Sequence, residues 1–142
     1  MDSGYLLGDG VWEGIRLYNG SLMHIDKHLD RLYNGAKEIE MDIQLSKKQM
    51  QSAIRATIEK NAMFSDVHIR LIVSRGIKKT PYQDPKVTIG DPTIVIIPEY
   101  KKASEAVKLN GITLGTVKTI RDNRTQDPRI NSLSKHNCIA AC

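Results

Sequence analysis

The sequence predicts an α+β domain. Three observations carry that reading: an Asn19-Gly20 dipeptide between two extended runs, two segments with helical apolar spacing, and later stretches that alternate apolar and polar residues. From Val11 the run VWEGIRLYNGSLMHID reads as two strands, and Asn-Gly accepts positive φ at both central positions of a type I′ turn, so the pair is a β-hairpin. Asp26 is placed to cap a helix whose apolar residues Leu29, Leu32, Tyr33, Ala36 and Ile39 recur at helical spacing. Lys27, Asp30, Arg31 and Lys37 fall off that stripe, which leaves Arg31 able to reach a group outside the core. Ser46 opens a second helix running to about Asn61, with Met50, Ala53, Ile54, Thr57 and Ile58 inward and Lys47, Lys48, Arg55 and Lys60 outward.

Beyond the helices, Val67, Ile69, Leu71 and Val73 alternate with His68, Arg70, Ile72 and Ser74, a strand with a partly polar second face, and Arg75-Gly76 ends it. Residues 77–92 contain three prolines and many polar groups and read as a long surface loop, of the length that tends to be functional or mobile. A buried strand is expected at 93–97, a charged connector at 99–105, and two further extended pieces at 107–109 and 112–117. The stretch 118–128, KTIRDNRTQDP, is charged and turn-rich and reads as an interdomain linker. The organisation expected is therefore a first domain over 1–117, a linker over 118–128, and the start of a second domain over 129–142.

A chain of 142 residues holds one domain with a core, or a small domain and a piece of another. The net charge of +5 favours anionic ligands, but it is spread along the chain, and the one Trp, five Tyr and one Phe are not interleaved with basic runs as base stacking would need. Nucleic acid is therefore not expected as a partner. No apolar run approaches the ~18 residues of a membrane span, so no membrane partner is expected either. Cys138 and Cys142, four apart on one helical face, are poorly placed for a disulfide, and a reducing cytoplasmic setting fits them. No metal site is expected: His24, His28 and His68 lack ligand spacing and read as surface or hairpin polar groups. The chain opens almost directly into a strand and stops inside an apolar helical pattern with no glycine cap, so it reads as part of a longer protein.

One lysine stands out near the end. In DPRINSLSKHNCIAAC, residues 127–142, Lys135 precedes a small, apolar helical run. Packing that run inside a domain would wall off the amine, lower its affinity for a proton and leave it nucleophilic towards an aldehyde; a lysine snorkelling from a helix end is the plainer alternative.

Four blocks in order, DSGYLLGDGVWEGIRLYNG at 2–20, HLDRLYNGAKEIEM at 28–41, HIRLIVSRG at 68–76 and INSLSKHNCIAA at 130–141, resemble the class IV pyridoxal-phosphate aminotransferases. That family includes branched-chain and D-amino-acid aminotransferases and aminodeoxychorismate lyase. The resemblance implies the small N-terminal α/β domain of a fold type IV enzyme, a mixed sheet with two helices, followed by a linker and the first helix of the large domain. It implies pyridoxal 5′-phosphate as cofactor, an amino acid and a 2-oxo acid as substrates, a homodimer or larger assembly, and a fragment inactive by itself. Branched-chain-like substrates are favoured, and a lyase or a degenerate binding module is the alternative.

By the same resemblance Arg31, the arginine of the HLDRL block, reaches the cofactor phosphate, for which a planar guanidinium is suited. Lys135 is assigned as the amine that bonds the cofactor aldehyde, being the sole lysine after the linker. A gap-free alignment of the helix instead puts Asn131 at that position, and an asparagine cannot bond an aldehyde in this way. Trp12 and Leu7 are assigned to the substrate pocket, Leu7 standing where branched-chain enzymes often carry tyrosine. The 76–90 loop is expected to help shape that pocket. It lacks the arginine and histidine pair with which D-amino-acid enzymes hold a carboxylate, and Lys78 and Lys79 in it read as solvated loop charges.

Overall fold

The structure, a computed structural model, describes residues 1–120 and 127–142. Where a strand was expected to open the chain, there is first a short helix, α1 (Ser3–Leu7). The Asp2 carboxylate accepts from the N–H groups of Gly4 and Tyr5, and Gly8 stops the helix in the left-handed conformation at φ 67°. Strand β1 (Gly10–Tyr18) then pairs with β2 (Ser21–Leu22). Asn19 and Gly20 between them have φ of 45° and 75°, as the type I′ turn requires.

Helix α2 (Ile25–Glu38) begins two residues earlier than expected. Its N-cap is His24, held left-handed at φ 50° without a side-chain cap bond, and Asp26 lies in the first turn, where its charge complements the helix dipole. Helix α3 (Lys47–Lys60) starts where the sequence placed it, because Ser46 and Gln49 form a capping box in which each side chain bonds the other's backbone N–H.

Strand β3 (Val67–Ser74) agrees with its alternation, and β4 (Thr93–Tyr100) follows the loop. The sheet order is β2-β1-β3-β4 and every pairing is antiparallel, so the α+β class holds but the sheet is not mixed. The β1–β2 hairpin reverses the chain, the two helices carry it across to the other side of β1, where β3 runs in the direction of β2, and the 77–92 loop turns β4 back on β3.

On one face, Val11, Ile15 and Leu17 stand beside Val73, Ile69 and Val67, and the apolar stripes of α2 (Leu29, Leu32, Ala36) and α3 (Met50, Ile54, Ile58) cover them. Each of the larger side chains among these contributes about 1.5–3 kcal/mol when taken out of water. Strand β4 was expected to be buried. It lies instead at the sheet edge, with Val95 39% and Ile97 47% exposed.

Residues 107–109 are helical, not extended. Ser104 caps α4 (Glu105–Asn110) by accepting from the Val107 N–H, and so short an apolar run does not separate helix from strand. Residues 112–117 join no strand. The linker reading of 118–128 falls mostly on residues 121–126, outside the described residues. Helix α5 (His136–Ala140) begins after Lys135, and its apolar residues are exposed, Ile139 at 71%.

Candidate functional site

The site grows from one break in the β1 pattern. Val11, Ile15 and Leu17 put apolar side chains under the helices, and at the same parity stands Glu13, with 0% of its side chain exposed. A carboxylate so placed needs partners. Arg31 donates from Nε to Glu13 Oε1 at 2.6 Å and from Nη2 to Oε2 at 2.7 Å, a bidentate fork. His28, one turn earlier on α2, lies with Nδ1 2.8 Å from Oε2. Burial pushes the Glu13 carboxyl up, but the bonds from Arg31 and His28 and their charges outweigh it and hold the group below its ordinary range. Arg31 in turn is held protonated more firmly by Glu13.

The Arg31 side chain is 54% exposed, so it is fixed at one end and open at the other. It borders an open groove of about 640 Å³ that also meets Lys27, Asn34, Gly35 and Ile130, and a second hollow of about 400 Å³ lined with His24, Lys27 and His28. Asp30, Glu38 and Asp127 also line the larger groove, whereas the smaller hollow has no acidic lining, and a fixed guanidinium there is suited to a phosphate group.

The C-terminal segment docks on the part of β1 that β2 leaves uncovered. The Trp12 N–H donates to the Asn131 carbonyl at 2.8 Å, the Leu133 N–H donates to the Gly10 carbonyl at 2.9 Å, and Val11 and Ser132 form an antiparallel bridge. Gly10 permits this approach: a Cβ there would press on the Val73 carbonyl oxygen and lie 2.7 Å from Leu133 Cδ1. Asn131 Nδ2 comes 3.5 Å from Glu13 Oε1, on the Arg31 side of the strand. Lys135 is half-buried with Nζ 5.0 Å from the Trp12 ring centroid, and the Arg70 guanidinium is 4.5 Å from the same ring. Trp12 and Glu13, being consecutive on a strand, face opposite sides of the sheet. What shelters Lys135 is thus the Trp12 indole; the run 138–142 that was expected to wall it off is exposed or nearly so.

Of the residues picked from the sequence, Arg31 stands at the groove and Trp12 and Lys135 touch each other, while Leu7 ends α1 with 44% exposure. His28 is not a loose surface group, since it is bound to Glu13. Lys78 is not a solvated loop charge: it is 3% exposed and donates from Nζ to the Asp84 carbonyl at 3.0 Å, tying the loop together. Lys79 is exposed, as expected. Glu13 and the pairing role of His28 were missed. The signals were there, a charge at the buried parity of β1 and a histidine three residues before the arginine on one helix face. Among the described residues no group of His, Cys, Asp and Glu could hold a metal ion, and no helix is long and apolar enough to cross a membrane.

The amino-transferase class IV family profile matches residues 10–141, and the chain belongs to that family. It is 43% identical over 97 residues to a putative branched-chain-amino-acid aminotransferase of Methanocaldococcus jannaschii, covering 68% of this chain and 33% of that protein. It is 33% identical over 132 residues to the D-alanine aminotransferase of Bacillus licheniformis, covering 93% and 46%. A fold IV-transaminase structure from Curtobacterium pusillum superposes with a TM-score of 0.74 at 21% identity, over 99% of this chain and 48% of that one, a likeness of fold. The chain therefore spans less than half the length of each of these proteins.

Proposed function

We propose that the protein, in its full length, is a pyridoxal-phosphate-dependent aminotransferase that moves an amino group between an amino acid, branched-chain-like by preference, and a 2-oxo acid. In this reading it works in the cytoplasm as a homodimer or larger assembly. The observation that carries the proposal is the Glu13-held guanidinium of Arg31 at the smaller hollow, a cation fixed in advance for a phosphate. Arg31 would take the cofactor's phosphate; Lys135, half-buried against Trp12 on the other face of β1, would reach its aldehyde only with the C-terminal segment seated differently in the full-length protein. When bound, the cofactor supplies an electron sink for the substrate's Cα. Arg31 would grip the phosphate oxygens. Trp12 would close one side of the pocket and keep water from the reacting atoms. Lys135 Nζ would take the proton from the substrate's Cα and return it on the opposite course of the exchange. The branched-chain preference rests on the named relative from Methanocaldococcus jannaschii and on the 76–90 loop, which lacks a carboxylate-holding arginine and histidine.

One observation favours a second reading. Asn131, not a lysine, extends from the docked C-terminal segment towards Glu13 and Arg31. If Asn131 stands at the amine's place, the chain binds its ligand without turnover. Visible absorbance of the full-length protein with added pyridoxal phosphate, then borohydride reduction and peptide mapping, separates the two. Label on Lys135 is the expected result. A protein that binds the cofactor but takes no label there refutes the lysine's assignment.

A further inference from the structure

Resting on the reading of Arg31 as a phosphate anchor, we propose that Glu13 is a positioning residue that aims two donor side chains, and that His28 is a second contact for the phosphate. Charge is the first argument. Glu13 is fully buried and bound bidentately by Arg31, so the ion pair as a whole is close to neutral and attracts a dianion weakly. A phosphate needs further positive charge or donors at the same place.

Geometry supplies them. His28 shares the Glu13 carboxylate with Arg31 at 2.8 Å through Nδ1, and among the described residues nothing else bonds its ring. The two side chains lie three residues apart on one face of α2 and line the same hollow, with Lys27 beside them. Because Arg31 spends Nε and Nη2 on Glu13, the Nη1 group is left for a ligand; because His28 spends Nδ1, Nε2 is left. One buried carboxylate thus fixes the orientation of both side chains before the ligand arrives, and neither has to be ordered at the moment of binding.

The test reads the worth of the phosphate group directly. Titration calorimetry on the full chain compares pyridoxamine 5′-phosphate with pyridoxamine, two probes without an aldehyde, so that Lys135 chemistry does not enter. The ratio of their dissociation constants is the readout. Arg31→Gln should collapse the ratio; if it does not, the phosphate-anchor reading itself fails, and this proposal with it.

His28→Asn keeps a donor for Glu13 where Nδ1 stood but removes Nε2. It should lower the ratio about tenfold while leaving pyridoxamine binding unchanged. For Glu13→Gln the two physical effects have opposite signs. Removing a negative charge near the site should tighten phosphate binding by simple Coulomb attraction, whereas loss of aim should weaken it about tenfold. The proposal requires weakening. Tighter or unchanged phosphate binding in Glu13→Gln, or an unchanged ratio in His28→Asn, overturns it while Arg31 keeps its role. If Glu13→Gln does not fold, the His28→Asn ratio decides alone.

Discussion

Arg75→Met should destabilise the protein by about 3 kcal/mol. The guanidinium closes the joint between the α1–β1 turn, the end of β3 and the end of α2. Nε and Nη2 bond the Asp9 carboxylate at 2.7 and 3.1 Å, and Nη1 and Nη2 donate to the carbonyls of Glu40 and Ile39 at 2.9 and 2.7 Å. The two charged side chains are 13% and 21% exposed. Methionine keeps the apolar stem and removes every donor. Asp9 is then left with the Ser3 hydroxyl at 2.8 Å, and two carbonyls lose their partners. Removing one member of a buried pair costs about 3–5 kcal/mol, and the low end applies because Asp9 keeps one bond and some access to water. Urea unfolding followed by Trp12 fluorescence measures the loss; at a slope of about 1.5 kcal/mol/M the midpoint moves by about 2 M. A double-mutant cycle with Asp9→Asn should return a coupling of at least about 1 kcal/mol. A loss under about 1 kcal/mol, or additive single effects, would refute the reasoning.

Acid should expose the same chemistry. Burial pushes the carboxyls of Asp2, Asp9 and Glu13 up, but hydrogen bonds from Ser74, Arg75 and Arg31 respectively lead the effects that bring all three below their ordinary values. Groups depressed in the folded state contribute stability that is complete above the unfolded carboxylate range, about pH 4–4.5, and is lost as pH falls through their folded values. Unfolding free energy measured in urea at a series of pH values should therefore be flat from about pH 6 to 5 and fall below about 4, less steeply in Arg75→Met; a level profile down to pH 3 would contradict the assignment. Gly10→Ala should cost about 1–3 kcal/mol by overpacking and should loosen the docked segment. Hydrogen exchange at the Trp12 and Leu133 amides, which bond across that junction, should quicken selectively; unchanged protection at both would show that the segment does not depend on the close approach.

Much of the fold was legible because its code is local. Asn19-Gly20 specifies its turn, Ser46 and Gln49 specify the start of α3, and the alternation of 67–74 specifies β3. The departures arose where partners distant in sequence decide. Strand β4 reads as buried by composition, but its place at the sheet edge is set by pairing order. His24 displaced Asp26 as the N-cap because the chain enters α2 from β2 in a left-handed bend. At the site, Arg31 shares its place off the apolar stripe with Lys27, Asp30 and Lys37, and it was the resemblance of the HLDRL block that singled it out. Its partner Glu13 was passed over, since a lone charge inside a strand gains meaning only when a helix above supplies a cation. Lys78 was read as solvated because nothing local marks the Asp84 carbonyl as its acceptor.

Among the described residues strand β4 has β3 on one side only, and Pro98 sits opposite Ile69 within that pairing. A proline carries no N–H, so the outward row of donors along β4 has a gap among its most apolar residues. A foreign extended segment laid alongside Ile94, Val95, Ile96 and Ile97 would find its hydrogen-bond ladder broken at the next position. This apolar edge run thus carries its own stop against self-association.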